Sequence, residues 1–456
     1  MIAAVALAFA ACGYFAFRQR PAPERFVLIV LDSLRADRLG CYGNGGHLTP
    51  ALDALAAQGV RFDDCWSVAS WTIESNCGLF TGRYPSQTRA GDGMHLRSDA
   101  FTLAEAFRVA GYATAAFSSH KWISPDYGFG RGFNTFRVAH MDDDRIADAC
   151  IRWIKKHRRD SYFVLLYFWA PHFPYKPEPA NIPAALRARL APLPEFTRNG
   201  YIVVSGENRL LTIVPKATGK PDEASLAEIA ALRDLYELYV RDVDARVGRV
   251  LRSLNGDDRC VVAVTADHGE EFLDHGFLWH QMTLYRELLH VPLLIRGPGL
   301  ARAVVETPVS NLDITPTFLS LAGLAAPRDL VGRPLLPASG IEQRLVFSEM
   351  DQIRGSHALR YGVRSGDTAV IYSLSGCPPE KPIPPGGRWE VYDLKRDPTE
   401  QHPGADPPGD LGAALSAHTR DALAARAVAT KDRTATPEAR NEMMRQFRAL
   451  GYLAPN

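Results

Sequence analysis

The chain has 456 residues, 46% of them apolar, with 52 lysines and arginines against 51 aspartates and glutamates. That length holds one large core with a smaller domain beside it. The balanced charge excludes a basic field for nucleic acid and an acidic field against anions, so any anion attraction must be local. Seven cysteines (Cys12, Cys41, Cys65, Cys77, Cys150, Cys260 and Cys377) show no CxxC spacing. Cys65 and Cys77 could pair, but a chain this long needs no disulfide framework and single buried thiols are expected.

The first seventeen residues, MIAAVALAFAACGYFAF, carry no charge and precede RQRPAPERF. Residues 1–20 therefore predict an export signal or membrane anchor, short for a spanning helix and without a basic n-region. FAAC, ending at Cys12, resembles a lipoprotein cleavage box. Arg18 and Arg20 would by the positive-inside rule place the following chain in the cytoplasm, against export. PAPE then reads as a linker.

The next run, VLIVLDSLRADRLGCYG, predicts a buried parallel strand that delivers Asp32 to a crevice at its carboxyl end. VVAVTADHGEEFLDHG does the same for Asp267 and His268. A lone Asp after a strand is more often a cap or turn residue, but two such strands can aim at one ion. Two carboxylates and an imidazole suit one divalent cation, with calcium, magnesium or manganese ahead of zinc.

Between these strands, Thr49-Pro50 and Gly59 bracket a short helix over ALDALAAQG. Thr102 and Glu105 predict a capping box for TLAEAFRVAG, with Leu103, Ala106, Phe107 and Ala110 on its buried face. SYFVLLYFWAPH predicts another buried strand, delivering His172. Residues 178 to about 223, rich in Pro, Ala and Arg, predict an insertion over the site. Leu232, Tyr236, Tyr239, Val243, Val247, Val250, Leu251 and Leu254 recur at helical spacing on a core face. After about residue 325, LVFSEM, YGVRS, TAVIYSL and EVYDL predict a small antiparallel sheet with a terminal helix. CPPEKPIPPGG and RDPTEQHPGADPPGDLG read as exposed loops.

One further segment, SWTIESNCGLFTGRYP, carries a resemblance. It is similar to the signature of the sulfatase family of the alkaline phosphatase superfamily, in which a Cys or Ser converted to formylglycine opens a C-x-P-S-R pattern nine residues before T-G-R. Counting back from Thr81-Gly82-Arg83 places Thr72 at the nucleophile position, Glu74 where Pro is usual, Ser75 as a match, and Asn76 where Arg is usual. LDSLRADRLGCYG, GFGRGFNTF, APHFPY, TADHGEEFLDHG, LYRELLHVPLLIRGPG, NLDITPTFLSLAG, VYDLKRDPTE and FRALGYL resemble further family segments in the family's order.

The resemblance implies a large, mostly parallel α/β sheet sandwiched by helices over residues 21–325 and a C-terminal α+β subdomain over 326–456. It implies an extracytoplasmic, tethered hydrolase or transferase of anionic sulfate or phosphate esters. Asp32, Asp267, His268 and Thr72 would hold the ion, with Ser33 where the family often has a second Asp. Lys121 and His120 lie in the region of its anion contacts, His172 matches its histidine loop, and His280 lies where a group can meet the leaving oxygen, with His275 as an alternative. Formylglycine cannot arise from Thr72, which favours a Thr alkoxide and phosphoryl chemistry over sulfuryl. Glu74 is expected to repel an anion unless it binds the metal or pairs with Lys121. Thr72, Glu74 and Asn76 together leave open a catalytically impaired, metal-containing binding module.

Overall fold

Apolar runs of four to ten residues become the strands at the centre of the computed structural model, which describes residues 24–89, 94–190, 223–280, 283–350, 359–375 and 386–429. The N-terminal segment, most of the insertion (191–222), nearly all of CPPEKPIPPGG and the terminal FRALGYL lie outside the described residues. In chain order the strands are β1 (Arg25–Asp32), β2 (Val60–Phe62), β3 (Cys65–Trp66), β4 (Ala113–Ser118), β5 (Thr135–Val138), β6 (Tyr162–Pro171), β7 (Cys260–Ala266) and β8 (Glu271–Phe272). They continue with β9 (Leu278–Trp279), β10 (Leu293–Arg296), β11 (Ala303–Val305), β12 (Val309–Ser310), β13 (Val346–Met350), β14 (Leu359–Ser365), β15 (Thr368–Ser375) and β16 (Arg388–Asp393).

Eight of these form one sheet in the order β11-β2-β10-β7-β1-β6-β4-β5, parallel except for β10, which runs against both β7 and β2. Every residue of β1, β6 and β7 is buried, as expected for central strands covered on both faces. One group of helices packs around Glu223–Ser253, which touches β6 and the helices Pro50–Ala56 and Asp143–Lys156. Another joins Thr72–Thr81, Leu103–Val109 and Ile314–Leu321. The apolar stripe from Leu232 to Leu254 is buried along its length. Strands β13 to β16 form a separate antiparallel sheet, against which helix Gly409–Ala429 packs.

Several local expectations change. Thr49 does not cap its helix with its side chain; its Oγ1 instead accepts from Gly40 N and bonds Asp53. Gly59 lies beyond the helix end at Ala57, and a Cβ there would collide with the Ile295 carbonyl, so it permits the close β2–β10 approach. Thr102 does accept from Glu105 N at 3.2 Å, but the buried face is Leu103, Ala104 and Phe107 while Ala110 is exposed. Within the insertion, Ala184–Leu190 is helical and buries Leu186 and Leu190. In RDPTEQHPG, Glu400 is buried rather than exposed, because its carboxylate accepts from Arg286 N (2.7 Å) and Arg364 (2.9 Å). All described cysteines are free thiols, Cys65 and Cys77 included.

Candidate active site at the carboxyl ends of four adjacent strands

Strands β7, β1, β6 and β4 lie side by side and parallel, so their carboxyl ends open on one crevice. Asp32 ends β1, Asp267 and His268 follow β7, His172 follows β6, and His120 stands two residues past β4. Ser33 takes a left-handed φ of 62°. That turn brings its backbone N–H to Asp267 Oδ1 (3.3 Å), while its hydroxyl donates to Asp32 Oδ1 (3.2 Å). Helix Thr72–Thr81 points its amino end here, with Thr72 in its first turn. Ser75 Oγ, one turn on, donates to the Asp267 carbonyl at 2.6 Å and ties the helix to β7.

His268 Nε2 is the point of convergence. It lies 3.6 Å from Asp32 Oδ1, 3.6 Å from Asp267 Oδ2 and 3.3 Å from Thr72 Oγ1. Its Nδ1 donates to the Gly269 carbonyl at 2.9 Å, which leaves the lone pair on Nε2, the arrangement of a metal-ligating imidazole. Among the described residues, Asp32 Oδ2 is buried and accepts no hydrogen bond. Burial and the charge of Asp267 raise the Asp32 pKa well above the carboxylate range. Two carboxylates, one of them with a bare buried oxygen, one imidazole lone pair and one hydroxyl fit a hard divalent cation.

The remaining histidines divide by their hydrogen bonds. Trp122 N donates to His120 Nδ1 at 3.1 Å, so the ring proton sits on Nε2, 3.7 Å from Asp32 Oδ2. His172 Nδ1 donates to the Phe173 carbonyl, leaving its Nε2 as the acceptor. His280 Nδ1 lies 2.9 Å from Glu270 Oε1, and its ring centroid is 4.3 Å from that of His268 and 4.8 Å from that of His172. Burial lowers the pKa of all three, His172 to about 3 with help from His268. Half-buried Lys121 adds its positive charge beside His120.

Glu74 is buried against Arg89 in an ion pair, which offsets its negative charge next to Thr72. Asn76 Nδ2 donates to the Thr72 carbonyl (2.8 Å) and to Asp267 Oδ2 (3.2 Å). His275 belongs to a different cluster. Its Nδ1 bonds Glu287 (2.7 Å) and its Nε2 the Glu400 carbonyl (2.7 Å). Two residues were not foreseen from the sequence. Tyr167, inside β6, donates to Asp267 Oδ2 at 2.6 Å, and Glu270 holds His280.

A family model described as Sulfatase matches residues 24–324. An N-acetylglucosamine-6-O-sulfatase of Bacteroides thetaiotaomicron is 24% identical over 486 aligned positions, covering 87% of this chain and 85% of that protein. Human arylsulfatase K is 25% identical over 390, covering 74% and 70%. The fold is also that of a protein solved in complex with its substrate D-glucosamine-2-N,6-O-disulfate (TM-score 0.66, 21% identity, 89% of this chain and 98% of that one). It matches equally the phosphonate monoester hydrolase of Agrobacterium radiobacter (TM-score 0.65, 20% identity, 89% and 96%).

Proposed function

Because this chain belongs to the sulfatase family, whose members hydrolyse sulfate or phosphate esters, we propose that it is a metal-dependent hydrolase or transferase using Thr72 as nucleophile, with phosphoryl transfer favoured. The observation that carries this reading is Thr72 Oγ1 standing 3.3 Å from His268 Nε2, at a helix amino terminus where two aspartates converge. A divalent cation held by Asp32, Asp267 and His268 would neutralise the oxygens of the transferred group and lower the hydroxyl's pKa. The helix terminus favours the same developing negative charge. His120 turns its Nε2–H toward the crevice as a donor for a non-bridging oxygen, and Lys121 contributes charge beside it.

In the first step Thr72 Oγ forms a bond to phosphorus as the bond to the leaving oxygen breaks. The proton lost by Thr72 passes through a neutral imidazole, and His280 is the residue we assign to return it to the leaving oxygen. Water then cleaves the threonine ester and regenerates the hydroxyl. Threonine cannot yield formylglycine, so an aldehyde-hydrate mechanism has no starting residue. An extracytoplasmic, tethered placement is part of the proposal through residues 1–20; no helix among the described residues is long and apolar enough to cross a membrane.

Peptide mass spectrometry of metal-loaded protein after brief exposure to aryl phosphate, phosphodiester and aryl sulfate substrates tests this, with Thr72→Ala as control. A phospho or sulfo adduct on Thr72, absent from the variant, is expected. Stoichiometric metal with no adduct and no turnover would instead favour a binding module, a reading supported by Asn76 in place of a cationic side chain.

A further inference from the structure

We propose that Glu271, His275 and Glu287 form a second cation site, sharing no residue with the one at Asp32, that takes a divalent transition ion such as zinc and clamps the β8–β9 hairpin to the short helix Arg286–Leu289. A ligand atom from each of the three lies within 4.8 Å of the other two. Glu271 opens β8, His275 stands in the turn between β8 and β9, and Glu287 belongs to the helix. An ion held by all three would therefore tie the hairpin at both its strand and its turn.

The atoms left over point to a ligand. Glu271 is 1% exposed. Its Oε1 accepts from the backbone N–H groups of His275 (2.8 Å) and Phe277 (3.0 Å), whereas among the described residues its Oε2 accepts no hydrogen bond. A buried carboxylate oxygen of that kind calls for a partner. His275 Nε2 lies 2.7 Å from the Glu400 carbonyl, which can only accept, so Nε2 carries a proton. An imidazole that donates one N–H to a backbone carbonyl offers its other nitrogen, here Nδ1, as the ligand, the usual pairing of a metal-bound histidine with its supporting contact. Tyr285 stacks on the ring with centroids 3.7 Å apart, which holds the plane of that nitrogen.

The charges fit a dication. Two buried carboxylates face one imidazole, and a single imidazolium balances only one of them. The arginines lining the neighbouring cavity are engaged elsewhere: Arg35 with Asp37 and Asp274, Arg286 over the Trp66 ring and beside His290. That cavity, about 280 Å³ and lined also by Glu287 and Asp274, gives an ion a way in. The proton shared by His275 Nδ1 and Glu287 Oε1 across 2.7 Å is what the ion displaces, and binding releases it to solvent. One imidazole nitrogen and two carboxylate oxygens suit zinc, with water in the remaining position.

Equilibrium dialysis of the full chain against micromolar zinc, with metal content read by mass spectrometry, tests the site in an Asp32→Asn plus Asp267→Asn background that removes both carboxylates of the active-site ion. Adding Glu271→Gln should lower the zinc content by one equivalent per chain, and adding Glu287→Gln should do the same. Equal zinc with and without these substitutions overturns the site, whatever the other histidines hold. Should both variants fail to fold, the background protein alone decides. Zinc at a tenfold excess over its Kd should slow amide exchange across residues 271–279 by about tenfold, because opening must release the ion. Exchange unchanged by zinc overturns the clamp. Neither readout involves turnover, so the outcome is independent of whether Thr72 forms an ester.

Discussion

Tyr167 donates its hydroxyl to Asp267 Oδ2 at 2.6 Å from within a strand that has no exposed residue. Tyr167→Phe keeps the ring and its packing but removes the donor that orients the Asp267 carboxylate. Metal affinity is expected to fall by about 10- to 100-fold, as for other residues behind a ligand, while the far-ultraviolet spectrum is unchanged. Calorimetric titration with manganese checks this, and equal affinities would remove Tyr167 from the site. The comparison with Asp32 is instructive about what residues disclose. An apolar run ending abruptly in Asp marks Asp32 and Asp267, because a carboxylate at that depth needs a reason. Tyr167 sits among the aromatics of SYFVLLYFWAPH, where a hydrogen-bonding tyrosine and a packing tyrosine look alike. Glu270 is similarly masked by Glu271 beside it; only the turn after β7 sends one inward to His280 and the other to His275. The count back from Thr81-Gly82-Arg83 is what aligns Thr72, Glu74 and Asn76 with the family signature.

At the scale of elements, the β8–β9 hairpin is held by charge at its base. Glu271, buried beside Glu287, has its pKa raised to about 8 by burial and then by that neighbour. His275 is pulled down by burial but lifted further by Glu287, to about 9, and both its nitrogens donate. The signs agree. Stability from the raised His275 is complete below its unfolded value near 6.5 and is lost as pH rises through about 9. The raised Glu271 means that the unfolded chain releases its proton first, so stability also falls as pH climbs toward about 8. Amide exchange across residues 271–279 should therefore accelerate between pH 6.5 and 9.5 beyond the intrinsic chemical rate. His275→Gln should flatten that alkaline loosening, and an equal slope in both proteins would refute the assignment. None of this was legible as a cluster, since Glu287 comes from the short helix Arg286–Leu289 and Glu400 from the far C-terminal region. The strands and long helix were legible, because their burial follows a period. The short-helix caps were less so, since Thr49 has a nearer partner in Gly40 than in its own helix.

For the molecule as a whole, the site concentrates two buried carboxylates where four parallel strands end. An ion that binds the folded state alone adds about 2.7 kcal/mol of stability at a hundredfold excess over its Kd. Thermal unfolding should shift upward with magnesium, calcium or manganese and downward with chelator. Asp32→Asn combined with Asp267→Asn should abolish the difference between the two conditions. Identical curves for the parent protein in cation and chelator would argue against an ion at this position.

Strand β1 runs from Arg25 to Asp32 through the middle of the sheet, a rise of roughly 23 Å at about 3.3 Å per residue. The chain before residue 24 therefore joins the domain at the pole opposite the crevice. The crevice opens away from that point of entry, like the mouth of a cup away from its base, so an ester can approach Thr72 without passing the place where the preceding chain joins β1.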